Sequence, residues 1–176
     1  MRRAVGAALL LACALALSPQ PAPAELQAYF SPDGGILLAL LARVEAATGS
    51  IDVAIFDFTA GGLADALVRA RDRGVAVRVV ADARQARGKH SAIPRLQAAG
   101  VDVHLLRGRG RGIMHHKFAV FDGRLLVTGS YNWTESAEVS NFENALFLDD
   151  PALVARYRWA AGATAGRAKS RSKSAA

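Results

Sequence analysis

The fold is decided by the stretch from His115 to Asn132, which reads HHKFAVFDGRLLVTGSYN. Two apolar runs, 115–121 and 124–128, flank Asp122-Gly123, a pair typical of a tight hairpin turn. We therefore predict two antiparallel strands. Because side chains alternate along a strand, His115 and Lys117 are expected on one face.

The same alternation of short apolar runs and turn residues continues on both sides of this hairpin. Upstream, it predicts strands at 26–30, 51–58, 75–81 and 101–106, and helices at 36–47, 63–73 and 92–99. Downstream, it predicts a strand at 144–148 and a helix at 152–161. We expect one α/β domain over residues 25–162, with a mixed β-sheet flanked by helices on both faces.

The first 24 residues have the pattern of an export signal. Arg2-Arg3 precedes an apolar run at 4–17, and Ala22-Pro23-Ala24 supplies a small-residue cleavage pattern. We expect a cleavable signal peptide over 1–24, a periplasmic or secreted protein, and no stable membrane insertion after cleavage. An uncleaved anchor and lipidation at Cys13, the single cysteine, are the alternatives.

Positive charge is concentrated in one part of the chain. The formal net charge is +7, and the interval from Arg84 to Arg124 holds nine basic residues but two acidic ones. Residues 163–176 are also basic, are rich in Ala, Gly and Ser and contain no acid, and we expect them to form a disordered tail. This charge favours a polyanionic partner such as nucleic acid.

The hairpin also carries residue types suited to phosphoryl chemistry. An imidazole such as that of His115 can attack phosphorus or carry a proton, and a fixed cation such as Lys117 stabilises charge on phosphate oxygens. Ser130 and Asn132, after the second strand, can donate hydrogen bonds to the same oxygens. No spacing typical of metal ligands occurs among the histidines, so we expect no metal site and no cofactor.

The pattern H-x-K-x4-D-x6-G-S-x-N resembles the signature of the phospholipase D superfamily. It is met by His115, Lys117, Asp122, Gly129, Ser130 and Asn132, and Glu143 fits a further acid of the family. The segment Ile55–Thr59 resembles another element of this branch, with Phe56 in place of a tyrosine. Small exported bacterial endonucleases with one motif per chain are the nearest resemblance, and mitochondrial outer-membrane members are similar.

This resemblance implies a two-step mechanism on a phosphodiester. His115 of one chain would form a phosphohistidine, and His115 of a second chain would protonate the leaving oxygen and then activate water. Since each chain has one motif, the resemblance implies a homodimer with a shared active site. Lys117 and Asn132, supported by Ser130, would hold the phosphate. Glu143 would accept the imidazole N–H. Asp122 would be a further catalytic residue that supports the lysine, or it would shape the turn.

The loop before the motif contains Arg107, Arg109 and Arg111, each followed by glycine. It is either a flexible solvated loop or a basic surface that binds phosphates beside the scissile one. With the second interpretation, the sequence favours a metal-independent endonuclease that acts on DNA and/or RNA without base specificity. The alternatives are a lipid phosphodiesterase with the same mechanism and a nucleic-acid-binding module with vestigial catalysis.

Overall fold

A computed structural model describes residues 26–173, with side chains to residue 166. The expected signal peptide over 1–24 and the alternative lipidation site at Cys13 lie outside these residues. Within them, no helix combines the length and the apolar character needed to cross a membrane.

Seven strands and five helices alternate over most of the described chain. The strands are β1 Leu26–Ser31, β2 Ser50–Ile55, β3 Ala76–Asp82, β4 Asp102–Leu106, β5 Lys117–Phe121, β6 Leu125–Gly129 and β7 Glu143–Leu148. The helices are α1 Ile36–Ala46, α2 Gly61–Asp72, α3 Ile93–Ala98, α4 Glu135–Val139 and α5 Pro151–Lys173, and a short 3₁₀ turn spans Gln85–Arg87. The sequence had predicted all of these except α4 and the 3₁₀ turn.

The strands form one mixed sheet in the order β1-β7-β6-β5-β2-β3-β4. The β2–β3 and β3–β4 pairs are parallel, whereas the other four pairs are antiparallel. The parallel part follows from the helical crossovers α2 and α3, and the antiparallel part from the predicted hairpin and its neighbours. The mixed sheet is therefore confirmed.

Helices cover both faces of the sheet, as predicted. One apolar layer contains Leu40 of α1, Leu67 of α2 and Leu96 of α3, all at most 1 % exposed. The opposite layer contains Val154 and Ala161 of α5. Strand residues alternate between the layers, so that Ala119 faces the first and its neighbours 118 and 120 face the second.

Residues 163–173 correct one prediction, because α5 continues through them instead of giving way to a disordered tail. Val154, Ala161 and Ala165 recur at helical spacing and are buried against the sheet. Small alanine side chains let the helix lie close to the strands, and alanine has the highest helix propensity. This alanine spacing is the sequence signal that indicates a helix instead of disorder.

The β5–β6 turn assigns Asp122 a structural role and corrects its inclusion among the catalytic residues. Asp122 and Gly123 have φ of 50° and 62°, and Arg124 N–H donates to the Phe121 carbonyl, as in a type I′ turn. The Asp122 carboxylate accepts hydrogen bonds from the backbone N–H groups of residues 48–50, at 2.7 Å in the shortest case. Strand β5 separates it from Lys117 by five residues, or roughly 17 Å.

Burial by itself would raise the pKa of Asp122, but these backbone N–H donors, together with Arg124, outweigh it and lower the pKa below the ordinary value. The stabilisation that the Asp122 carboxylate gives to the folded state is therefore complete above its unfolded-state pKa of about 3.9. This stabilisation is lost as the pH falls through the lower pKa that Asp122 has in the folded state.

Replacing Asp122 with alanine should lower the free energy of unfolding at pH 7 by about 2–3 kcal/mol, because the backbone donors at residues 48–50 lose their acceptor. Urea unfolding at pH 7 and at pH 3 measures the effect, which should shrink at the acidic pH. Asp33→Ala is the matched control, since Asp33 also has a positive φ, of 67°. Equal destabilisation by the two substitutions would show that the hydrogen bonds of Asp122 contribute nothing beyond the turn conformation.

Candidate active site

One edge of the sheet brings most of the predicted site residues together, whereas Asp122 lies at the other end of β5. Ile55, the last residue of β2, lies opposite Lys117, the first residue of β5. Gly129 ends β6 opposite Ala145, close to the start of β7 at Glu143. In an antiparallel pair, one strand begins where its neighbouring strand ends. Residues that are far apart in sequence therefore meet at this edge of the sheet.

His115 and Lys117 are in direct contact here. Lys117 Nζ lies 3.2 Å from His115 Nε2 and 3.4 Å from the His115 carbonyl oxygen. A protonated lysine can only donate, so it donates in this contact when the imidazole proton is on Nδ1 and Nε2 carries the lone pair. In that tautomer, Nε2 is the unprotonated, nucleophilic nitrogen.

The strand that carries Lys117 is shorter than predicted, since it begins at Lys117 and not at His115. Its pairing with β2 ends at Ile55↔Lys117, so residues 115 and 116 have no strand partner. His115 thus reaches Lys117 from the preceding loop, and strand alternation is not the reason that the two side chains meet.

The Phe56 ring packs against both the His115 imidazole and the Lys117 ammonium group. Its ring centroid is 4.6 Å from that of His115, with the rings at 62°, and 5.0 Å from Lys117 Nζ. An edge-to-face ring contact and a cation over an aromatic face are both favourable. Phe56 therefore restrains the imidazole and the ammonium group together.

The segment after Phe56 is hydrogen-bonded to the segment that contains Asn132. Trp133 N–H donates to the Asp57 carbonyl, and Thr59 N–H and Ala60 N–H both donate to the Trp133 carbonyl at 2.9 Å. The Trp133 side chain is buried and packs edge-on against Phe58. Asn132 is held beside this junction, and its Oδ1 is buried without a partner in the described part of the chain.

Ser130 and Glu143 form a second pair at the site. Ser130 Oγ donates to Glu143 Oε2 at 2.5 Å and accepts from Asn144 N–H at 3.1 Å. Asn141 Nδ2 donates to the other carboxylate oxygen at 3.2 Å. The expected hydrogen bond from the His115 imidazole to Glu143 is thus replaced in this structure by bonds from Ser130 and Asn141.

Asp57 is a residue of this site to which the sequence analysis assigned no role. Burial raises the pKa of its carboxyl group, although the Phe58 N–H and Lys117 act in the opposite direction. Burial also lowers the pKa of Lys117, while the charges of Glu143 and Asp57 raise it and offset part of the effect. A carboxylate just after a buried strand, within the quoted segment Ile55–Thr59, was the signal that could have identified it.

The loop with Arg107, Arg109 and Arg111 is a compact turn with all three side chains exposed. Gly108 N–H donates to the Gly112 carbonyl at 3.1 Å, and residues 107 and 113 form an isolated bridge. A β-carbon at Gly108 would lie 2.6 Å from the backbone of Gly112, so only glycine fits there. The turn precedes His115 in the chain, and it carries three exposed cations.

Together, these groups can bind and attack a phosphoryl centre. The site offers an imidazole, an ammonium group, a hydroxyl and an amide at one edge of the sheet. Within residues 26–166, no three His, Cys, Asp or Glu side chains lie close enough together to hold a metal ion.

Comparisons with known proteins agree with this geometry. Residues 40–160 match the family model described as cardiolipin synthase, PLD-like domain. A mitochondrial cardiolipin hydrolase from Xenopus tropicalis is 41 % identical over 122 residues, covering 69 % of this chain and 56 % of that protein. The chain spans about half the length of the curated relatives it matches.

Two solved structures have similar folds. Nuc from Salmonella typhimurium, a phospholipase D family member, is 29 % identical with a TM-score of 0.73, and the match covers 80 % of this chain and 93 % of that one. NucT from Helicobacter pylori is 26 % identical with a TM-score of 0.76, with coverage of 80 % and 95 %.

Replacing Asp57 with asparagine should lower the pKa of Lys117 further, because it removes a negative charge that favours the ammonium form. The alkaline limb of the pH–rate profile should then move to lower pH, and an NMR titration of the lysine side chain should report the same shift. Glu138→Gln is the matched control, since that carboxylate accepts from Tyr131 and Leu37. An unchanged or raised pKa of Lys117 in Asp57→Asn would contradict the assignment.

Proposed function

This chain belongs to the phospholipase D superfamily, and from that membership we propose that it is a phosphodiester hydrolase acting on nucleic acid, a metal-independent endonuclease for DNA and/or RNA. The observation that carries the choice of substrate is the turn with Arg107, Arg109 and Arg111, whose exposed cations precede His115 in the chain. Arginines that reach phosphate oxygens bind without base specificity. A polymer with regularly spaced phosphates can occupy the site and this turn together.

In the proposed reaction, His115 Nε2 attacks phosphorus and the bond to the leaving oxygen breaks. A second imidazole gives its proton to that oxygen, and a phosphohistidine remains. The same second imidazole then takes a proton from water, which attacks phosphorus and releases His115. Lys117 and the Asn132 amide stabilise the negative charge on the phosphate oxygens in both steps, and Ser130 contributes when its hydroxyl turns from Glu143 to the phosphate.

The second imidazole comes from a second copy of the chain in this proposal. Each chain has one His115 motif, and a two-fold axis can place two motifs on opposite sides of one phosphorus atom. We therefore propose a homodimer with a shared active site. The signal-like residues 1–24 support a periplasmic or secreted location for it.

A lipid phosphodiester is the second candidate substrate. It is favoured by three curated relatives that are called mitochondrial cardiolipin hydrolases and are 38–41 % identical over their matched regions. The mechanism above does not depend on the groups that are esterified to the phosphate. A direct comparison of the two substrates is therefore needed to choose between the candidates.

The purified protein should cleave plasmid DNA or RNA in millimolar EDTA, while cardiolipin vesicles stay intact, and His115→Ala should lose more than a thousandfold in turnover. His90→Ala, at an exposed position outside the site, is the matched control. Gel electrophoresis and release of phosphatidic acid measure the two reactions. Cleavage of vesicles alone would favour the lipid candidate, and loss of activity in EDTA that magnesium restores would contradict the metal-independent mechanism.

A heterodimer of wild-type and His115→Asn chains tests the shared site. It contains one functional imidazole, so its activity should fall well below half that of the wild-type homodimer if each phosphorus needs both chains. Differently tagged chains, purified as the mixed dimer and assayed at equal concentration, give the ratio. A value near one half would mean that the two sites work independently.

A further inference from the structure

Asp82, the last residue of β3, is a fully buried carboxylate outside the sequence motif. It is 0 % exposed, and none of the described Lys, Arg or His side chains forms an ion pair with it. Burying a carboxylate is costly unless hydrogen bonds compensate it. The hydrogen-bond partners of the Asp82 side chain therefore indicate its role.

All the donors to Asp82 are backbone N–H groups, from two separate segments. Oδ1 accepts from Arg84 at 2.9 Å and from Gln85 at 3.2 Å, within the turn that follows β3. Oδ2 accepts from Met114 at 3.0 Å, which is 32 residues away in sequence. One oxygen thus shapes the local turn, while the other holds the distant loop that arrives from β4.

The amide of Met114 immediately precedes His115. The Met114 side chain is 4 % exposed and packs in the apolar layer under α5, whereas the His115 side chain is exposed. His115 lies outside the hydrogen-bond ladder of β5, which starts at Lys117. The bond to Asp82 is therefore the last fixed backbone point before the imidazole.

We propose that Asp82 is a positioning residue, whose Oδ2 fixes the Met114 amide and thereby sets where His115 presents Nε2. This inference rests on the proposed role of His115 as the nucleophile. A displacement of about 1 Å between reacting atoms can cost on the order of a hundredfold in rate. The effect belongs to the chemical step and not to substrate binding, since the fully buried Asp82 side chain cannot contact a substrate.

Asp82→Asn tests the proposal with a single-atom change. An asparagine that keeps its oxygen on Arg84 and Gln85 must turn its NH₂ group toward the Met114 N–H, so the bond to the loop before His115 is lost. Asp122→Asn is the matched control, because Asp122 also accepts from backbone N–H groups, at the far end of β5. Both variants are assayed on plasmid DNA and RNA at a temperature at which circular dichroism shows them folded.

Asp82→Asn should lower kcat by about 10- to 100-fold with KM within twofold of wild type. The single-turnover rate of phosphohistidine formation should fall by the same factor. Asp122→Asn should keep kcat within twofold. A wild-type kcat for Asp82→Asn, or an equal loss of kcat in both variants, would overturn the positioning role.

A second variant covers the case in which Asp82→Asn does not fold. Incorporating the α-hydroxy acid analogue of methionine at position 114 turns the amide into an ester and removes only the N–H donor. The same loss of kcat is expected, and an ester variant with wild-type kcat would overturn the proposal. If His115→Ala itself keeps wild-type activity, the proposed function fails; if only the Asp82 and Met114 variants are unaffected, the positioning inference alone fails.

Discussion

The insertion of β5 between β2 and β6 is the constraint on which the rest of the structure depends. Its antiparallel register with β2 sets Lys117 opposite Ile55, and its hairpin with β6 returns the chain to the same edge at Gly129. Sliding β5 by one residue would turn Lys117 toward the opposite layer and exchange the side chains that β5 contributes to the two buried apolar layers. The burial of the strand residues therefore also fixes the position of the lysine.

The site works with few charges, and their balance is set by burial. The Lys117 ammonium is partly desolvated over Phe56, which lowers its pKa, and Glu143 and Asp57 restore part of the preference for the charged form. The Glu143 carboxylate accepts hydrogen bonds from Ser130 and Asn141, and it acts on Lys117 through its charge without a direct hydrogen bond. A ligand that brings negative charge finds a cation that is held in place but not neutralised by a direct ion pair.

Two aspartates hold loops at opposite ends of the sheet by the same physical means. Asp82 and Asp122 each accept backbone N–H groups from a segment distant in sequence, and neither forms an ion pair with a described residue. Only one of them lies next to the imidazole that we propose as the nucleophile. The same kind of hydrogen bond therefore stabilises the turn at Asp122 at one end of the sheet. At the other end, in our inference, the bond to Asp82 positions His115.

The sequence by itself determined the alternating elements, the mixed sheet and the hairpin, because apolar periodicity and turn residues such as Asp122-Gly123 are local signals. It also predicted His115, Lys117 and Ser130 as site residues from the spacing of one motif, and Glu143 as a further acid; the structure places these four residues at one edge of the sheet. Tertiary structure alone decided that Asp122 stabilises the turn, that Asp57 lies at the site, that Glu143 bonds to Ser130, and that α5 continues past residue 162. Each of these depends on a partner contributed by a distant segment, and the pairing register that brings such partners together is a property of the whole sheet.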